Sequence, residues 1–477
     1  MKLKKVLALA MSSVLTLSLV GCGSSKSSDS TDVTVTKTPN DAVTEAAQED
    51  SETWSYSSIK LGEDYTDLTT TIKFFHGRTD RDSNSGGDGK LQEYIAEFNK
   101  MYPNITVNTE AVTDYNSEAL LRLTAGNWGD VMFLIAMDKD EYPNYYMSYG
   151  SSEDINEIVN YTSVGTYDGQ VYGIPYMAIA NGIVYNKAVF AAAGITTLPT
   201  TPDEFIAALQ AIKDKTDAIP LYTNYAAEWT VGAWDTYVGA IATGDYTYLN
   251  QKLVHTANPF SDPGDGTGIY NVYKILYDAV AMDLIEDDYT TTDWEGSKGM
   301  INNGKIATMV LGSWAYAQMQ GAGEHADDIG YMPFPISVGG KQYTAAASDN
   351  LYGINVNSTD DNKLASTIFV KWMTEESGWS YNEGGLPVDK DGQTPDLYLS
   401  FANCIMQEDE LPLPGEETLL NEVNAESELN IYAGGNRKVM NIIESADTGS
   451  QTFDEIMNEW NQAWSDAQKS LGVEIKY

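Results

Sequence analysis

Three histidines, two cysteines and 69 acidic residues bound the chemistry open to this 477-residue chain. His76, His255 and His325 lie far apart, and no His-Glu-x-x-His pair is present to seat a catalytic zinc. A Gly-x-Ser-x-Gly nucleophile elbow and a phosphate-cradling glycine loop are also missing. Two cysteines rule out a disulfide framework and a zinc site built mainly on sulfur. Asp80-x-Asp82-x-Asn84 copies the opening of a calcium loop. Its sixth position is Ser85 rather than Gly and its twelfth is Leu91 rather than Glu, so it reads as a solvated acidic loop. Asp389-x-Asp391-Gly392 is a shorter echo and reads as a turn. Paired carboxylates for glycoside hydrolysis are always available among so many acids, which leaves that chemistry open. The chain is richer in aromatic rings, with 31 Tyr and 10 Trp. No metal and no cofactor is implied.

The net charge of −41 makes nucleic acid or an anionic membrane face a poor partner for the folded body. Lys2, Lys4 and Lys5 precede an apolar run from Val6 to Val20, too short to span a membrane comfortably but suited to a signal-peptide core. The run ends in Leu19-Val20-Gly21-Cys22, which resembles the lipobox of bacterial lipoproteins. That resemblance implies cleavage after residue 21, lipidation of Cys22, and a protein held at the extracytoplasmic face of the cell membrane by its lipid alone. Cys404 is then left single and is expected to be an inert thiol. Residues 22–65 are rich in Ser, Thr, Asp and Glu, a composition that cannot offset its ordering entropy, and they read as a disordered tether.

Beyond the tether, short strands alternate with amphipathic helices. Thr70–Phe75, Ile105–Val107 and Val131–Ile135 read as strands, the last buried on both faces. Lys90–Tyr102 places Leu91, Tyr94, Ile95 and Phe98 at helical spacing, and Pro103 stops it. Ser117–Thr124 is predicted as a helix with Ala119, Leu120 and Leu123 on one face. Thr201…Glu204 and Thr452…Glu455 read as capping boxes opening further helices, and Ile269–Leu284 and Lys363–Met373 as two more. This alternation predicts an α/β protein with mostly parallel sheets flanked by helices.

One series of motifs is more specific. Asp168-Gly169-Gln170-Val171-Tyr172-Gly173-Ile174-Pro175-Tyr176 leads to Gly182-Ile183-Val184-Tyr185-Asn186-Lys187. Then follow Gly312-Ser313-Trp314-Ala315, Pro333-Phe334-Pro335, Gly353-Ile354-Asn355 and Gly384-Gly385-Leu386-Pro387. In this order the motifs resemble the extracellular solute-binding proteins of ABC sugar importers, relatives of the maltose-binding protein, over about residues 66–470. The resemblance implies a two-lobed, periplasmic-binding-protein-like fold with a ligand cleft between the lobes. The first lobe is expected over 66–180 and 348–386, the second over 181–347 and 387–477. Hinge closure would bury the ligand.

The implied function is capture of a carbohydrate, an oligosaccharide given the aromatic supply, and its delivery to ABC permease subunits by a monomer without enzymatic activity. A surface glycoside-active enzyme and a sugar-sensing lobe without transport are the alternatives. Sugars need rings to stack on and polar forks for their hydroxyls. Trp314 is the first candidate, because the family's Gly-x-Trp segment presents that indole to the cleft. Trp229, Trp234 and Glu228 form a second group, and Tyr176 stands beside the expected hinge. His76 and Arg78 follow the first strand at its carboxyl end, where open α/β sheets bind. Arg78 either forks onto vicinal hydroxyls or makes an ion pair. Asp130 either meets ligand or caps its turn. Asp349, Asn350 and Glu383 are weaker candidates.

Overall fold

The computed structural model describes residues 54–135, 137–432 and 435–477. The leader, Cys22 and the tether up to residue 53 lie outside them. The strands, in chain order, are β1 (Thr70–His76), β2 (Ile105–Ala111), β3 (Val131–Phe133), β4 (Gly150–Ser151), β5 (Thr166–Tyr167), β6 (Gln170–Val171) and β7 (Ile174–Pro175). They continue as β8 (Ala178–Asn186), β9 (Ile219–Leu221), β10 (Ile306–Gly312), β11 (Ile329–Pro333), β12 (Gln342–Ser348), β13 (Leu351–Ile354) and β14 (Cys404–Gln407).

Among the described residues, one sheet runs β2-β1-β3-β13-β7 and a second runs β14-β12-β8-β10-β9 with β11 on β8; β4, β6 and β5 form a small third sheet. The two large sheets are the centres of two lobes. Ile72, Phe74, Phe133 and Ile354 are buried in the first core, and Phe205, Leu209, Tyr273 and Trp464 in the core beside the second sheet. The sheets are mixed rather than mostly parallel. β1 runs parallel to β2 and β3, β9 to β10 and β12 to β14, but every pair made by β8 or β13 is antiparallel. These are the strands that carry the chain into one sheet from the other, and they arrive in the reverse direction.

Between β7 and β8 stand only Tyr176 and Met177, and between β12 and β13 only Asp349 and Asn350. The two crossings bind each other: Tyr176 N–H donates to Asn350 O (2.7 Å) and Asp349 N–H to Met177 O (2.9 Å). Leu386 N–H adds a third strand of chain by donating to Ala178 O at 2.7 Å.

Three local readings change. The tether does not extend to residue 65, because Tyr56 and Ile59 are buried in the first core. Tyr56 meets the Tyr149 ring edge-on at 5.7 Å, so the aromatic and aliphatic residues of this stretch find partners in the first core. In the helix Tyr115–Ala125, Ala119 and Leu123 are buried but Leu120 is 56% exposed; it sits about 100° round the helix from Ala119. At Thr201 only half the capping box forms, since the Glu204 carboxylate accepts from Thr200 N–H (2.8 Å). Thr452 and Glu455 close theirs in both directions.

Candidate functional site

The carboxyl end of β1 delivers His76-Gly77-Arg78 to the edge of the first sheet. His76 has no exposed surface. Its Nδ1 accepts the Arg78 backbone N–H at 3.1 Å and its Nε2 lies 3.3 Å from Asp82 Oδ2, which places the ring proton on Nε2. Burial lowers its pKa to about 4, against the opposing pull of Asp82. Fully buried, His76 presents no surface to a ligand and instead sets the start of the loop that follows.

Arg78 is exposed over only 21% of its side chain. Its Nε and Nη2 clamp Asp80 (both 2.8 Å), Nη2 also donates to Glu383 Oε2 (2.9 Å), and Nη1 donates to the Tyr176 hydroxyl (2.5 Å). The guanidinium carbon lies 5.6 Å from the Tyr176 ring and 5.8 Å from the Trp379 ring. Four donor contacts leave one of five N–H groups to spare. Arg81 supports the same acid, with Nε 3.1 Å from Glu383, and pairs with Asp88. Burial would raise the Asp80 carboxyl, but the Arg78 clamp and the Arg81 charge outweigh it and hold Asp80 below its ordinary value. Asp80 keeps 52% of its side chain exposed, so this wall offers acceptors more than donors.

The opposite wall is aromatic. β10 is buried along its whole length and ends at Gly312, where a Cβ would stand 2.6 Å from Trp314 Nε1. Ser313 locks the turn to β8: its N–H donates to Ala180 O (2.9 Å) and its hydroxyl accepts from Ala180 N–H (3.2 Å). Trp314 then opens a short helix and meets Trp294 at 5.8 Å and Trp229 at 5.7 Å between ring centroids. Trp229 and Trp294 are 5.1 Å apart, and Trp229 is 43% exposed. Lys298 Nζ lies 4.9 Å from the Trp294 ring. Before Trp229, the exposed Glu228 has φ 55° and ψ −57°, a sparsely populated conformation that holds the turn into Trp229 under strain.

Between the walls lies a cleft of about 570 Å³. Arg78, Asp80, Arg81 and Glu383 line one side, and Trp294, Lys298, Trp314 and Gln318 the other. Met177 and Asp349, one from each crossing, join them.

Of the expected residues, Arg78, Trp314, Asp349 and Glu383 line the cleft, and Trp229 extends its aromatic wall. Tyr176 is 3% exposed and serves through its hydroxyl on Arg78. Trp234 is buried in the second core against Phe334 (5.9 Å), because its turn points inward where that of Trp229 points out. Asp130 binds Lys73 N–H (2.9 Å), the Ser358 hydroxyl (2.6 Å) and the Asn362 amide (3.0 Å), tying β1 and β3 to the helix Asp360–Glu375. Its oxygens are spent on that tie. Asp82 likewise accepts from Asn84 N–H and the Gln92 amide. Among the described residues no group of three or more His, Cys, Asp or Glu side chains is placed to hold a metal ion. Burial pushes the half-buried Cys404 thiol up to about 12.

Sequence reasoning missed Trp294, Lys298, Arg81 and Trp379. Arg81 follows Arg78 by three residues in one loop, which was a usable signal; Trp294 carries no local mark of its position.

Residues 82–378 match the family described as bacterial extracellular solute-binding protein. The multiple sugar-binding protein of Streptococcus mutans is 26% identical over 340 residues, 68% of this chain and 76% of that one. Two solved binding proteins from Bifidobacterium animalis subsp. lactis are nearer. BlMnBP1, an ABC transporter binding protein in complex with mannobiose, is 48% identical with a TM-score of 0.80. BlMnBP2, described as manno-oligosaccharide specific and in complex with mannotriose, is 50% identical with a TM-score of 0.79. Each alignment covers 87% of this chain and 99% of the other.

Proposed function

The chain belongs to the bacterial extracellular solute-binding protein family, and we propose that it captures a manno-oligosaccharide and delivers it to an ABC importer. The observation that carries this reading is the pairing of walls across the cleft. Tryptophan faces at Trp314, Trp294 and Trp229 suit the C–H faces of pyranose rings, and the Asp80 and Glu383 carboxylates suit their hydroxyl edges. Arg78 acts by aiming both carboxylates and by holding that of Asp80 ionised. The similar binding proteins solved in complex with mannobiose and mannotriose support the choice of sugar.

Closure would turn on the paired crossings at Tyr176–Met177 and Asp349–Asn350, whose few residues can absorb a change in backbone angle. The lobe boundaries follow the same crossings. Cys22 would carry the lipid that keeps the protein beside its permease, and transport would need only release of the sugar unchanged.

A glycoside-active enzyme keeps one observation in its favour. Asp349 lies in the same cleft and burial raises its carboxyl, while Asp80 is held low, the divergence expected of an acid and a base. The exposed surface that Asp349 retains weakens that desolvation argument. Calorimetric titration with mannobiose and mannotriose, followed by chromatography of the recovered sugar, separates the two. Saturable binding with intact sugar is expected. Absence of binding, or hydrolysis at catalytic rates, would overturn the transport reading.

A further inference from the structure

A second concavity, larger than the cleft at about 880 Å³, opens beside it on the first lobe. Asp80 lines both. Its other walls come from the loop after β1 (Thr79, Gly86, Gly87 and Asp88) and from the end of β2 and the residues after it (Ala111 to Thr113). Both segments leave the carboxyl ends of adjacent parallel strands, the edge of an open α/β sheet at which ligands collect.

The loop is built rather than slack. Asn84 Nδ2 and Gln92 Nε2 both donate to Thr109 Oγ1 (2.9 and 3.1 Å), and the Ser85 hydroxyl donates to Ala111 O (3.0 Å), fastening it to β2. Gly87 N–H donates to Asp82 O and Asp88 N–H to Asp80 O, both at 2.9 Å. Gly87 has no room for a side chain, since a Cβ would stand 2.3 Å from Thr79 O. The concavity so shaped has no aromatic platform. It offers hydroxyls, backbone edges and the Asp80 and Asp88 carboxylates, the lining for a hydrated chain whose first units already stack elsewhere.

We propose that this concavity takes the further units of a linear manno-oligosaccharide longer than the trisaccharide, with Asp80 bridging the two sites. The inference rests on the manno-oligosaccharide reading of the cleft. Each added unit meets hydrogen bonds alone, so the gain per unit is modest, about three- to tenfold in affinity for one net hydrogen bond.

The test is calorimetry of the full chain with mannobiose, mannotriose, mannopentaose and mannohexaose, repeated on Thr113→Trp, which fills the concavity from an exposed position. Thermal melting of the variant checks its fold, and Thr113→Ser serves as the small-side-chain control. Expected is a rise of about ten- to a hundredfold in affinity from mannotriose to mannopentaose, two added units, in the wild type and in Thr113→Ser. In Thr113→Trp the longer sugars should fall to that variant's own mannotriose value. Equal affinity for all lengths from mannotriose upward, or a rise that survives Thr113→Trp, would overturn the proposal while leaving the cleft reading intact. Failure of every length to bind would overturn both.

Discussion

Arg78 lines the cleft, yet most of its donors are turned to protein groups. Its four contacts are internal, and they hold the Asp80 and Glu383 carboxylates at the cleft wall. Its identity and its position after a strand were plain in the sequence, but the direction of its donors was not, because the partners come from residues 176 and 383. Trp314 is the simpler case, a half-buried ring held at the cleft by Gly312 and Ser313. Trp314→Ala should weaken mannotriose binding by at least about 1 kcal/mol, the lower scale for an aromatic contact. Calorimetry that finds the affinity unchanged would remove Trp314 from the site. Trp229 and Trp234 lie five positions apart yet separate into wall and core, a division that periodicity in so irregular a stretch could not supply.

At the scale of elements, the loop after β1 depends on a neutral histidine. The His76 ring is buried between Phe74 and Phe133 and faces Asp82, with Arg78 and Asp80 the other charged groups acting on it. Its folded pKa of about 4 lies below the ordinary value of 6.5, so the unfolded chain takes up the proton first as the pH falls. The stability that this burial contributes is fully present above about pH 6.5 and is lost on descending from there to about pH 4. Thermal melting should therefore fall more steeply between pH 7 and pH 5 in the wild type than in His76→Gln. Equal slopes would show that His76 is not the group responsible. The helices Lys90–Met101, Asp360–Glu375 and Phe453–Leu471 were read from capping residues and apolar spacing to within a few residues, since those signals act over single turns. Strand direction was not, because it depends on where the chain goes after leaving a sheet.

For the whole molecule, the proposed closure would turn on the two short crossings that hydrogen-bond to each other. Small-angle scattering should show a smaller radius of gyration with saturating mannotriose than without it, and no compaction in the presence of demonstrated binding would rule out closure on this sugar. The sequence by itself determined the α/β class, the order of motifs that marks the family, most of the long helices, and the Gly-Ser-Trp segment of the aromatic wall. These depend on residue types and on spacings within one or two turns. Only the tertiary structure decided that His76, Asp130 and Trp234 belong to the scaffold, that Trp294, Lys298 and Arg81 join the cleft, and that residues from Trp54 onward are folded. The reason is distance along the chain. The cleft brings together residues near 80, 177, 294, 314, 349 and 383, and no local pattern records which face each will turn toward the others.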